Sequence, residues 1–206
     1  MLISHLILAT ETGPRTFPDG VPSIFQLQDQ IEAAWDHGYN SRGRDETGGI
    51  RGTRKFIGTQ EVRVTAEDCL QRPRANRAQA QALFSYLKVN CSALRYQDSR
   101  EISAVDQVFD AIESYYQCSL TKPEDARNKV QCTMLAPIYF QRPGHSLTVI
   151  GLQKTMHNER HLLVFNPGHR YKDTPPSLPQ RQRPDVLEPY RLRAESLRKY
   201  SEFELL

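Results

Sequence analysis

Apolar positions recur at helical spacing over the first half of the chain, then change to short runs and alternation over the second half. MLISHLILA (1–9) is apolar and expected as a buried helix. Ser23, with Gln26 three residues later, has the spacing of a capping box. Behind it, Ile24, Leu27, Ile31, Ala34 and Trp35 fall on one helical face, and Gly38 supplies a stop. Trp35 is therefore expected in the core. Residues 40–55, rich in Gly, Arg, Asp and Thr, read as a loop. Residues 80–89 read as a helix and CSALRY (91–96) as a short strand. Val105, Val108, Phe109, Ile112 and Tyr116 give a second helical stripe over 104–116.

From Leu135 the period changes. LAPIYFQ (135–141), SLTVIGLQ (146–153) and HLLVFNPG (161–168) read as three strands, with HNER (157–160) as the last turn. Residues 173–189 hold five prolines and no periodicity, which predicts a loop. Glu188-Pro189 is expected to open a short basic helix, and EFELL (202–206) reads as one more strand. Helices first and an antiparallel sheet afterwards predict an α+β domain. There is no internal repeat and no low-complexity segment.

Composition narrows the function. The 206 residues are 38% hydrophobic, enough to fill one core, so one domain is expected. The net charge of +3 gives little pull toward nucleic acid or a membrane surface. The Arg-rich stretch 170–199 is interleaved with Asp173, Asp185, Glu188 and Glu195, which reads as a solvated surface. No apolar run reaches the ~20 residues of a membrane span. MLISHLILA lacks the basic flank and cleavage site of a secretory leader. Cys69, Cys91, Cys118 and Cys132 form no Cys-x-x-Cys pair, so a reduced intracellular compartment is expected, with no metal site and no cofactor.

One residue stands out chemically. His145 follows the break Arg142-Pro143-Gly144 and precedes a strand. Asn166 lies 21 residues later, at the end of the next strand. If those two strands form a hairpin, the start of one lies beside the end of the other, and the pair become neighbours. An amide there accepts an imidazole N–H and fixes its tautomer. From the pattern alone, a structural histidine beside an asparagine remains the competing reading.

APIYFQRPGHSLTVIG (136–151) and LLVFNPG (162–168) resemble the catalytic half of the ZUFSP-type ubiquitin peptidases. These sit beside the ubiquitin-fold-modifier proteases within the papain-like cysteine peptidases. Further similar stretches are IEAAWDHGYN (31–40), GTRKFIGTQE (52–61), SYLKVNCSALRY (85–96) and PYRLRAESLRKYSEFELL (189–206), so the resemblance runs nearly end to end. It implies a papain-like fold, with hydrolysis after the C-terminal glycine of ubiquitin or a ubiquitin-like partner. It implies a location in the cytoplasm or nucleus. His145 takes the place of the catalytic histidine. Asn166 takes the place of the acidic third member, a departure, since an amide stabilises an imidazolium less than a carboxylate does. Gly144 is a candidate for letting the backbone pass close to a narrow substrate tail. His169 is a lesser candidate for the third member.

The same resemblance places the nucleophilic cysteine in a motif before Met1, and none of the four cysteines fits its position. The chain as given is therefore expected to be inactive, either as a modifier-binding pseudoenzyme or because its start lies within a longer reading frame. Residues 62–79 interrupt the resemblance. Removing them joins FIGTQE to AQALFSYLKV, which reads as a translated intron or as a surface insertion with four arginines and Cys69.

Overall fold

The computed structural model describes residues 2–54, 78–89, 91–118, 130–168 and 187–206. Helices α1 (Leu2–Ala9), α2 (Thr12–Thr16), α3 (Ile24–Asp36), α4 (Arg42–Thr47) and α5 (Ala78–Tyr86) precede the first strand. Then come β1 (Leu94–Gln97), α6 (Ala104–Gln117), β2 (Ile138–Arg142), β3 (His145–Lys154) and β4 (Arg160–Phe165). A 3-10 turn (Glu188–Tyr190), β5 (Arg191–Arg193), α7 (Ala194–Leu197) and β6 (Glu202–Leu205) complete the order. The fold is α+β, with helices preceding and flanking one six-stranded sheet, as the sequence pattern predicts.

The capping box expected at Ser23 is present. Ser23 Oγ accepts the Gln26 N–H, and the Ser23 N–H donates to Gln26 Oε1 at 2.8 Å. Two orphan donors at the start of α3 are thereby satisfied. Ser103 caps α6 through its side chain, Oγ accepting the Asp106 N–H at 3.1 Å.

The six strands run in the order β1-β6-β2-β3-β4-β5, and every pairing is antiparallel. Strand β6 is therefore interior: Leu205 lies opposite both Leu94 and Phe140. One core forms where α6 lays Val105, Val108, Phe109 and Ile112 on Phe140, Leu147, Val149, Leu162 and Phe203. The Phe140 and Phe203 rings stack at 5.4 Å. A second core joins α1, α3 and α5 through Ile3, Leu6, Ile31, Trp35, Leu83 and Phe84. Trp35 is buried there, as its place in the stripe predicts.

Several sequence expectations need correction. The 40–55 loop contains α4, closed by Gly48 in the left-handed conformation. Residues 191–193 form a strand rather than a helix, because β4 offers an edge: Leu192 pairs with Leu162. Ile24 is 65% exposed although it lies on the apolar stripe, while Gln28 and Glu32 of the same helix are buried. Of the suspected insertion, residues 62–77 lie outside the described residues, and Ala78 and Gln79 open α5. The proline-rich stretch also falls mostly outside them.

Gln28 and Glu32, one turn apart, face the segment 50–53. Gln28 bridges it by donating to Thr53 O and accepting from the Gly52 N–H, at 2.9 and 3.0 Å. Glu32 Oε1 accepts the Ile50 N–H at 2.6 Å, and Oε2 accepts from Arg44 Nε at 2.9 Å. Burial works to raise the Glu32 carboxyl, but these donors outweigh it and hold it below the ordinary value of 4.5. Lys154 and Arg160 likewise hold Glu113 low. A carboxyl with a depressed folded-state value contributes stability above its unfolded value and loses it as pH falls through the folded one. Unfolding midpoints in urea should therefore hold steady above about pH 5 and fall below it. Glu32→Ala should cost about 3 kcal/mol at neutral pH, since it strands the buried Ile50 N–H. Glu32→Gln should flatten part of the acid slope, and an unchanged slope in that variant would show that Glu32 is not responsible.

Candidate active site

The site is built at one end of the sheet by a two-residue turn. Arg142 and His145 pair directly across β2 and β3, leaving Pro143-Gly144 between them. Gly144 has φ 75°, the left-handed value that the second turn position requires after proline. The turn by itself accounts for the glycine proposed above as a substrate contact.

Strand alternation then sets the histidine's face. His145, Leu147 and Val149 share one side of β3, the side on which α6 packs. On β4, Phe165 lies opposite Thr148 and Val164 opposite Val149. Carried one residue further, that register puts Asn166 opposite Leu147, diagonal to His145 on the same face. Diagonal neighbours are within reach of side chains of this length. The structure closes the contact: His145 Nε2 lies 2.8 Å from Asn166 Oδ1. Asn166 Oδ1 also accepts the Gly168 backbone N–H at 2.9 Å. Both side chains are half-buried. His145 Nδ1 has no hydrogen-bond partner among the described residues. An imidazole held by one nitrogen with the other unengaged can take and return a proton.

The other face of the hairpin carries a polar row that the sequence reading missed. Tyr139 donates to Ser146 Oγ at 2.7 Å, Ser146 donates to Gln141 Oε1, and Gln141 Nε2 donates to Arg142 O at 2.7 Å. These bonds tie β2 to β3 immediately before the turn and stiffen the base on which His145 stands. Gln141, only 7% exposed, was the signal: a buried polar residue on a strand needs partners. On the His145 side, the Arg142 guanidinium lies 4.8 Å from the Tyr200 ring centroid and donates to its hydroxyl at 2.6 Å. This fastens the turn to the residues leading into β6.

The cysteines lie elsewhere. Cys91 is half-buried and lines an apolar cavity of about 400 Å3 together with Leu6, Phe84, Leu94, Tyr115 and Ile138. That cavity includes neither His145 nor Asn166 in its lining. Burial pushes the Cys91 thiol up, the wrong direction for a nucleophile. Cys118 and Cys132 are exposed, and Cys69 and His169 lie outside the described residues. Among the described residues no cluster of His, Cys, Asp and Glu could hold a metal, and no helix is long and apolar enough to cross a membrane.

An antiparallel sheet with helices carries a histidine at one strand's start, hydrogen-bonded to an amide at the next strand's end, a pairing of the kind that Cys-His-Asn peptidases use. The chain belongs to peptidase family C78, whose sequence model matches residues 1–73 and 78–206. It is similar to the mouse protein named zinc finger-containing ubiquitin peptidase 1, at 28% identity over 170 residues, covering 82% of this chain and 26% of the mouse protein. The human and Macaca fascicularis proteins of that name are 29% and 30% identical over 150 residues, covering 72% of this chain and 22% of theirs. The matched region thus spans about a quarter of the length of these relatives.

Proposed function

We propose that this chain is the histidine-bearing part of a cysteine peptidase that cleaves after the C-terminal glycine of ubiquitin or a ubiquitin-like modifier. The observation that carries this reading is the 2.8 Å hydrogen bond between His145 Nε2 and Asn166 Oδ1, made inside a family C78 domain. With Nε2–H given to Asn166, Nδ1 is the nitrogen left to accept a thiol proton. The thiolate then attacks the carbonyl carbon of the scissile bond. His145 passes the proton to the departing amine, leaving a thioester that water hydrolyses. Asn166 orients the ring without adding charge. In this reading the thiol is not Cys91, Cys118 or Cys132, and the protein acts in the cytoplasm or nucleus.

The test uses the coding sequence extended upstream, with and without residues 62–79, and a probe bearing an electrophile at a modifier's C-terminus. A covalent adduct formed on an upstream cysteine supports the peptidase. Failure of both extended forms to react, with modifier binding retained, replaces it with the second reading, a modifier-binding module. That alternative draws support from the described cysteines, since Cys91 lines a cavity that includes neither His145 nor Asn166 and Cys118 and Cys132 are exposed. Transcripts that always retain codons 62–79 would overturn the intron reading.

A further inference from the structure

We propose that the backbone N–H of Gly168 is the positioning group that lets a neutral amide serve as the third member of this site. It fixes Asn166 with Oδ1 toward His145, and thereby holds the imidazole in its Nε2–H tautomer. The catalytic consequence rests on the peptidase reading; the positioning itself does not.

A carboxylate presents an acceptor whichever way it turns. An amide does not: its oxygen accepts, its nitrogen donates, and the two are nearly the same size. Turned the wrong way, Asn166 would offer an N–H to His145 Nε2. That nitrogen would then have to be bare, and the ring proton would move to Nδ1, the atom required to accept from the nucleophile. Shape alone does not prevent this.

Gly168 does. Its backbone N–H can only donate, and it lies 2.9 Å from the same Asn166 atom that faces His145. That atom must therefore be the oxygen. Since His145 Nε2 lies 2.8 Å from this oxygen, Nε2 must carry the proton. Donor and acceptor rules thus settle both the amide orientation and the tautomer. Turning the amide would set two donors against each other at Gly168 and forfeit the bond that Oδ1 makes there. The correct orientation should be favoured roughly tenfold or more. The lack of a side chain is not the point. A Cβ at 168 would sit 3.4 Å from Asn166 Oδ1 and 3.6 Å from His145 Cε1, ordinary contact distances. What matters is the N–H.

The experiment reads imidazole 15N resonances of the 206-residue chain in alkaline buffer, where neutral imidazole tautomers are distinguished. The wild type should show a protonated Nε2 and a bare Nδ1, and Gly168→Ala, which keeps the N–H, should show the same. Gly168→Pro, which removes it, should shift the population toward Nδ1–H. Asn166→Asp combined with Gly168→Pro should restore Nε2–H, because a carboxylate needs no orienting donor; a merely structural defect would not be rescued this way. Gly168 amide exchange should be protected in the wild type and unprotected in Asn166→Ala, which keeps the test open if the proline variant fails to fold. An Nδ1–H tautomer in the wild type, or an unprotected Gly168 amide, overturns the proposal. None of these readouts needs a nucleophile, so a failed activity probe leaves the proposal standing, and a failed tautomer measurement leaves the peptidase reading standing.

Discussion

In an extended protein that carries the nucleophile, His145→Ala should lower kcat by ~10^2–10^4-fold and leave modifier binding intact. The reason is the division of labour at the sheet end. His145 is the imidazole that Asn166 holds by one nitrogen. Without it the thiol depends on its own ionisation, a few per cent at neutral pH, and the departing amine has no proton donor. The fold should survive the change. His145 is half-buried at the start of β3 and belongs to neither core, so the thermal midpoint should stay within a few degrees of wild type. Single-turnover rates with a modifier C-terminal amide substrate measure the effect. Turnover within tenfold of wild type would remove His145 from its role.

Phe140→Ala has the largest expected effect on stability, about 3–5 kcal/mol. Phe140 is fully buried at 0% exposure, lies on β2 between β3 and β6, and stacks on Phe203. Its removal opens a void between the sheet and α6 that fixed strand spacing keeps from closing. It also loses a ring pair worth roughly 1 kcal/mol beyond area. Urea denaturation should show a lower midpoint at an unchanged slope. A loss below about 1 kcal/mol would mean that α6 settles into the space. Because Phe140 is two residues before Arg142, a slack β2 should also loosen the turn that presents His145.

The hairpin and its His–Asn pair were legible in the sequence because everything that makes them is local. A proline-glycine turn sets the register, alternation sets the face, and 21 residues separate the partners. Ser23 and the α3 stripe were legible for the same reason. What escaped depends on distant partners. Gln28 and Glu32 have the spacing of a solvated face, and only the segment 18 to 25 residues later, folded back on them, makes them interior. Arg191–Arg193 has no strand signature; the open edge of β4 makes it one. Gly168 acts through its backbone, and a backbone N–H has no letter of its own. The place of β6 between β1 and β2 was equally invisible, since EFELL names a strand but not its neighbours.

That strand order also imposes a sequence of events during synthesis. The hairpin carrying His145 joins strands two residues apart in turn length and can zip as soon as it leaves the ribosome. Strand β1 cannot: its partner is β6, and Arg95 meets Glu202 across 107 residues of chain. Until residues 202–205 emerge, β1 has no place in the sheet, and both Leu94 and Phe140 lack the Leu205 between them. Such long-range closure is slow. The nascent domain should therefore present a zipped β2–β3 hairpin and an unpaired β2 edge at the same time. The exposed edge is a natural target for a holding chaperone, and His145 would be in place before the sheet that supports it is sealed.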